Sequence, residues 1–468
     1  MVKMALNTSE MLEKADMLLI KGNYRDALEL LSQVEQSTFE NARYDELPRI
    51  YEKIGLILRN LGNFEKAKMY LEKALKFSEK LAAIEPSYET SIAGIQNNLA
   101  ALLSDMGRLD GARDMYERAL KVSHSLVEKN PENAQYLLSV AGIQSNLGAL
   151  LRDMGRFDEA KYMFERALTV SQSLVKKNPE NAQYLLSVAG TQSNLGALLR
   201  DLGRLEGAEN MLEQALRVYG SLLSIDPENA QYRLSMSITQ NNLGALLRDM
   251  GRFEDAKLMY EQALKVSESL LNTDPENAQH QLYVGGTQNN LGNLLGDMGR
   301  LEDAQIMLDQ ALRVYGSLLR TDPENAQYRL YVAGTQNNLG ALLKIMGKLE
   351  DAKLMYEQAL RVYESLLNTD PENAQYRFYV AGTQYNLGAL LKIMGKLGDA
   401  QIMLERALRV YESLLNTDPE NAQYRLYVAG TQNNLGELLK IMGKLEDAQI
   451  MLERALKITS NVNRRSSE

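Results

Sequence analysis

Two histidines, His124 and His280, are the only imidazoles in 468 residues, and cysteine is absent. General acid–base or nucleophilic chemistry on an imidazole would have to be built around those two positions. Their contexts are unrelated: His280 takes a place where related segments carry Tyr, and His124 lies late in a helical segment. Both read as surface or packing residues. Without Cys there is no disulfide, thiolate zinc site or cysteine nucleophile. No His-Glu-x-x-His, calcium-loop or nucleotide-binding glycine fingerprint occurs. Gly340 to Gly347-Lys348 resembles a phosphate loop only superficially, since the spacing is wrong, Leu349 replaces Ser/Thr and no strand precedes it. Acidic pairs such as Glu350-Asp351 start helices, where carboxylates complement the helix dipole. The expectation is therefore a non-enzyme with no catalytic residue, no metal and no cofactor.

What the sequence does contain is repetition. Pro131, Pro179, Pro227, Pro275, Pro323, Pro371 and Pro419 are each 48 residues from the next, inside the phrase Asn/Asp-Pro-Glu-Asn-Ala-Gln. Gly107, Gly155, Gly203, Gly251, Gly299, Gly347, Gly395 and Gly443 keep the same spacing, and Gly62 and Gly22 precede them at 45 and 40. That makes ten units. Within each, Asn/Asp-Pro-Glu predicts a helix start, with a capping side chain, Pro in the first turn and Glu at the positive end. In one unit the first helix is expected from Pro323 to about Met346, and Gly347 can take the left-handed conformation that closes it. A second helix follows over about Leu349 to Leu367, with Ala352, Met355, Tyr356, Ala359, Leu360 and Tyr363 on one face. A single hairpin cannot bury that face, whereas stacked hairpins can. A continuous coiled coil is excluded by the Gly/Pro punctuation.

The expected fold is all-α: a right-handed α-α superhelical solenoid of about ten helix-turn-helix units, most with a 48-residue period. It spans residues 1–458, irregular over 1–85 and regular over 86–458, with a short polar tail at 459–468. Apolar residues at 45% supply an extensive core. A net charge of −9 disfavours general nucleic-acid binding, which needs a basic footprint. No secretory signal and no membrane-length apolar run is seen, so a cytoplasmic location away from membranes is expected.

The run Asn146-Leu147-Gly148-Ala149-Leu150-Leu151 with Gly155, Ala160, Phe164 and Ala167 resembles the tetratricopeptide repeat. It recurs as Ala208/Leu212/Ala215, Ala256/Tyr260/Ala263 and so on to Ala448/Leu452/Ala455. There are two departures. Gln144, Gln192, Gln240, Gln288, Gln336, Gln384 and Gln432 replace an aromatic residue. The repeat is also longer than the family's usual length of about 34. The phrase Asn-Asn-Leu-Gly and the longer repeat look most like the arrays of kinesin light chains. That resemblance implies an inner ladder of asparagines clamping the backbone of an extended peptide. The matching positions are Asn98, Asn146, Asn194, Asn242, Asn290, Asn338, Asn386 and Asn434. An amide side chain offers both a donor and an acceptor, so it suits a peptide backbone of any sequence. The alternative is that each Asn bonds within its repeat or to a neighbouring helix. The glutamines are read as a hydrogen-bond network between helices.

Along the same face the early units read Arg152-Asp153, Arg200-Asp201 and Arg248-Asp249. The later ones read Lys344-Ile345, Lys392-Ile393 and Lys440-Ile441, so each base loses a nearby acid. Ser139, Ser187 and Ser235 give way to Tyr283, Tyr331, Tyr379 and Tyr427, and Arg329, Arg377 and Arg425 lie just upstream of the last three. Those tyrosines either pack between helices or reach the groove. The expected function is a scaffold or adaptor holding an extended or helical segment of another protein in its concave groove. The later half suits an acidic or amphipathic peptide. A self-associating structural repeat, forming dimers or superhelical assemblies, is the alternative.

Overall fold

In a computed structural model the chain is described over residues 8–20, 24–40, 44–417, 419 and 421–465. Among these residues all extended regular structure is helical and no strand occurs. The first two hairpins are α1 (Thr8–Ile20) with α2 (Tyr24–Glu40) and α3 (Leu47–Asn60) with α4 (Phe64–Ala82). Next come α5 (Glu89–Asp105) with α6 (Leu109–Lys129), α7 (Ala134–Asp153) with α8 (Phe157–Lys177), and α9 (Ala182–Asp201) with α10 (Leu205–Ile225). They are followed by α11 (Ala230–Asp249) with α12 (Phe253–Thr273) and α13 (Ala278–Asp297) with α14 (Leu301–Thr321). The last three are α15 (Ala326–Ile345) with α16 (Leu349–Thr369), α17 (Ala374–Ile393) with α18 (Leu397–Thr417), and α19 (Ala422–Ile441) with α20 (Leu445–Arg465). Helix α20 thus carries on through much of the segment expected to be a polar tail. Gly22 and residues 466–468 lie outside the described residues.

The helix start expected at Pro falls three residues later. In α7 the cap is Asn133, whose Oδ1 accepts from the backbone N–H of Gln135 at 3.0 Å and Tyr136 at 3.3 Å. Asn130 instead closes α6, and the Asn133 N–H returns to its carbonyl at 3.2 Å. Pro131 therefore occupies a turn between two caps, where its fixed φ is an asset and its missing N–H costs nothing. The glycine stop is as expected. Gly155 has φ +75, its N–H donates to the Arg152 carbonyl and the Arg156 N–H to the Leu151 carbonyl. This is the Schellman closure. Gly155→Ala is expected to cost about 1–2 kcal/mol, because an L side chain is disfavoured there. Faster amide hydrogen exchange in α7 and α8 would report it; unchanged exchange would contradict it.

Each hairpin buries a narrow apolar seam. On α8 it comprises Ala160, Phe164, Ala167 and Leu174, all but fully buried. Gly148 of α7 lies directly against Phe164: a Cβ there would fall 2.8 Å from the ring. The Leu-Gly pair on first helices and the large residue on second helices are therefore one packing device. Contacts group the chain into two compact units, Met1–Leu294 with Ser317–Gln327, and Leu295–Gly316 with Tyr328–Glu468. Within the first, α3 touches α5, α5 touches α7, α7 touches α9 and α9 touches α11; within the second, α17 touches α19. Among the described residues second helices of successive hairpins do not approach one another to the same degree, so each stack bends with its first helices on the inner, concave side.

Candidate partner-binding site

The asparagine ladder lies on this inner face, and its donors are already used. Asn146 Nδ2 donates to Asn97 Oδ1 at 3.0 Å, Asn194 to Ser145 Oγ at 3.3 Å and Asn242 to Ser193 Oγ at 3.5 Å. Asn290 donates to Asn241 Oδ1 at 3.3 Å, Asn386 to Asn337 Oδ1 at 3.2 Å, and Asn434 to the Tyr385 hydroxyl. Asn98 reaches Glu52 at 2.8 Å, a carboxyl that burial pushes above its usual range while Asn98 pulls it back. Asn338 is also engaged. Each resolved bond runs to the preceding hairpin, so the ladder fixes one repeat on the next. The side chains nonetheless keep part of their surface exposed, with amide oxygens turned to no donor in Asn98, Asn146, Asn194, Asn242, Asn290 and Asn386.

Of the seven glutamines Gln144, Gln192, Gln240, Gln288, Gln384 and Gln432 are buried and Gln336 is half-buried. Gln192 donates to Gln214 at 2.6 Å, Gln240 to Gln262 at 2.9 Å and Gln336 to Gln358 at 2.9 Å, each from a first to a second helix of one hairpin.

The charged pairs near the turn are arranged across repeats. Arg152 Nε lies 2.6 Å from Asp201 and Arg200 Nε 3.1 Å from Asp249. Adjacent helix residues such as Arg152 and Asp153 point in different directions. Burial pushes the Asp153 carboxyl up, with Arg152 opposing. In the second compact unit the position opposite Lys344 holds Ile393 and the position opposite Lys392 holds Ile441, so the aspartate of the earlier units is gone from both. Lys392 departs from that pattern, because Glu437 lies 3.0 Å away and Asn434 Oδ1 at 3.2 Å. Ile345, Ile393 and Ile441 are 59–64% exposed beside these lysines.

The tyrosines both pack and face outward. Tyr331 stacks on Tyr315, Tyr379 on Tyr363 and Tyr427 on Tyr411, all with centroids 5.1 Å apart. At the same places earlier in the chain Ser139 meets Ser123 at 3.2 Å and Ser187 meets Ser171 at 2.7 Å. A small hydrogen-bonded pair has been exchanged for a large stacked one. Tyr331 and Tyr427 still expose more than a third of their surface. Burial holds the Tyr363 and Tyr411 phenols above their usual range, so they remain neutral donors at pH 7. Two of the three arginines serve their own hairpins. Arg329 donates to Ser365 Oγ at 2.7 Å, Arg425 donates to the Pro419 carbonyl, and Arg377 is half-buried.

Two aromatic residues that periodicity does not reveal join this surface. Phe378 stands where neighbouring repeats have Leu330 and Leu426, and Tyr385 where they have Asn337 and Asn433. Together with Tyr363, Tyr379, Tyr411 and Tyr427 they line a cavity of about 210 Å³. Departures from the repeat, and not the repeat itself, were the available signal. His124 and His280 stay apart, and burial lowers both. Among the described residues no group of His, Asp and Glu is placed to hold a metal, and no helix is long and apolar enough to cross a membrane.

Consecutive antiparallel hairpins with their first helices inside define a helical-repeat solenoid. The chain belongs to the tetratricopeptide repeat family. One tetratricopeptide repeat model matches residues 139–221, 187–269, 283–365 and 379–460, more than half of the chain. Two others match residues 92–132 and 48–81. No curated protein sequence matches it. Solved structures to which it is similar include BtubC (BKLC) from P. vanneervenii, 25% identical with a TM-score of 0.41 over 55% of this chain and 92% of that one. Apo RapI is 11% identical, with a TM-score of 0.47 over 69% of this chain and 99% of that one. Human IFIT1, solved as a dimer with PPP-AAAA, is 16% identical, with a TM-score of 0.43 over 98% and 92%.

Proposed function

We propose that the chain is a non-catalytic scaffold whose repeats, continuous over residues 1–458, hold an extended segment of another protein along the inner face. Membership of the tetratricopeptide repeat family supports the scaffold role. The observation that carries the finer reading is the ladder. Asparagine amides are fixed by the preceding repeat through Nδ2, and in Asn98, Asn146, Asn194, Asn242, Asn290 and Asn386 the Oδ1 atom keeps unused acceptor capacity. Acceptors already oriented suit a peptide backbone, since little side-chain freedom remains to be lost on binding. In the second compact unit Lys344 and Lys440, the exposed isoleucines and the tyrosine edges favour an acidic segment with apolar anchors. Asn338, Asn386 and Asn434, with Lys344, Lys392, Lys440, Tyr331, Tyr379 and Tyr427, form the proposed contact.

Replacing Asn338, Asn386 and Asn434 with Ala together tests it. Capture of partner proteins by purified variant and parent is compared, with circular dichroism as the folding check. A loss of at least about tenfold is expected, as three hydrogen bonds of about 0.5–1.5 kcal/mol each are removed. Undiminished capture by the folded variant would count against the groove.

A further inference from the structure

The cavity on α17 has features that its neighbours lack. Phe378 and Tyr385 are two separate departures from the repeat, and both face one space, walled by the stacked pairs Tyr363–Tyr379 and Tyr411–Tyr427. Phe378 stands edge-on to Tyr411 and Tyr427, at 66° and 87°. At about 210 Å³ the space is smaller than the roughly 300–1,000 Å³ of a small-molecule site. It suits one or two compact side chains of a segment passing along the groove.

The polar groups at its edge are unevenly divided. The Tyr411 hydroxyl is buried and finds no acceptor in the protein. Asn337 accepts from Asn386 through Oδ1, which leaves its Nδ2 hydrogens unused, and the Tyr385 hydroxyl accepts from Asn434 and keeps its own hydrogen to give. Asn386 Oδ1 is the unused amide acceptor among the lining residues. The cavity therefore holds more spare hydrogens than unused amide acceptors and favours carbonyl oxygens, its phenol oxygens being the further acceptors open to an N–H group. No carboxylate lines it to balance a bound cation, and no cation lines it to hold an acid. A neutral, apolar, carbonyl-rich ligand with few N–H groups fits that balance best. Proline in an extended polyproline II segment has those properties: its ring packs on aromatic faces, its nitrogen carries no hydrogen and its backbone carbonyls are unsatisfied within the helix.

We propose that the cavity formed by Phe378, Tyr385, Tyr411 and Tyr427 is a proline-binding site for a polyproline II segment. The proposal rests on the groove reading above and names the partner's chemistry at one place in it. The test titrates fluorescein-labelled decaproline into the full chain by fluorescence anisotropy, beside Phe378→Leu, Tyr385→Asn and their double variant. Leu and Asn stand at these positions in adjoining repeats, so the fold is expected to survive, and thermal melts check it. Decaproline should bind the parent, and the folded double variant should bind about tenfold more weakly, the scale of one or two aromatic contacts. Binding unaffected by the double variant overturns the site. Absence of binding to the parent overturns the proline assignment, as does stronger competition by choline than by unlabelled decaproline. If partner capture fails in the Asn338/Asn386/Asn434 variant while the parent ignores decaproline, the groove reading stands and the proline assignment falls.

Discussion

Phe164→Ala is expected to remove about 3–5 kcal/mol of local stability, the usual cost of truncating a fully buried aromatic side chain. Phe164 has no exposed surface, and its ring lies on the backbone of Gly148, where even a Cβ would come within 2.8 Å. Ala160 and Ala167 flank it on α8 and are also fully buried. None of these neighbours has a side chain long enough to fill the space, so the cavity cannot collapse. In a repeat array stability is a sum of repeat and nearest-neighbour terms. The loss should therefore show in amide exchange of α7, α8 and the adjoining α9, with distant hairpins unchanged. Phe164→Leu is the control. Leu212 occupies the same place one repeat later, so the cost should stay below about 1.5 kcal/mol. Equal losses for Ala and Leu would show that ring-on-glycine packing is not what stabilises the hairpin.

The packing behind that expectation was readable before any coordinates. Proline and glycine at a fixed spacing, with Ala and a large residue between them, leave few folds that bury the apolar stripe. Detail failed where two residues could do the same job. Asn130 and Asn133 can each cap a helix, and which helix each serves depends on the turn that Pro131 makes. Pairings between hairpins were hidden for a different reason. Arg152 sits next to Asp153 in the chain, yet its carboxylate comes from Asp201 in the next repeat. The asparagines lie on first helices, but spacing along a chain says nothing of what lies across a helix interface, and there the amide donors are used. Phe378 and Tyr385 were missed because periodicity averages over the one repeat that differs.

The contact least legible from local pattern closes the first compact unit on itself, and breaking it is expected to cost about 2–4 kcal/mol. The start of α2 meets the loop before α13. Asn277 Nδ2 donates to the Tyr24 hydroxyl at 3.2 Å, and Arg25 Nη2 lies 2.7 Å from Glu276. Burial, then the nearby Asp274 carboxylate, pushes the Tyr24 phenol up to about 12. Asp274 and Asn277 are only 5% and 4% exposed, whereas Asp226 in the corresponding loop one repeat earlier is exposed. The Tyr24 hydroxyl is also hydrogen-bonded to the Asp274 carboxylate, and hydrogen bonds to a charged partner contribute about 1.5–3 kcal/mol. The exposed Arg25–Glu276 pair adds no more than about 1 kcal/mol. Tyr24→Ala with Arg25→Glu removes the first and reverses the second. Amide exchange over residues 274–281 should accelerate, while residues 226–233 serve as the unaffected reference. Because Tyr24 begins α2, a charge swap separates loss of contact from fraying of that helix. Arg25→Glu alone should raise exchange slightly, and adding Glu276→Lys should restore it. Exchange in residues 274–281 that ignores both variants would mean that the loop is protected by its own turn and caps, with no contribution from α2.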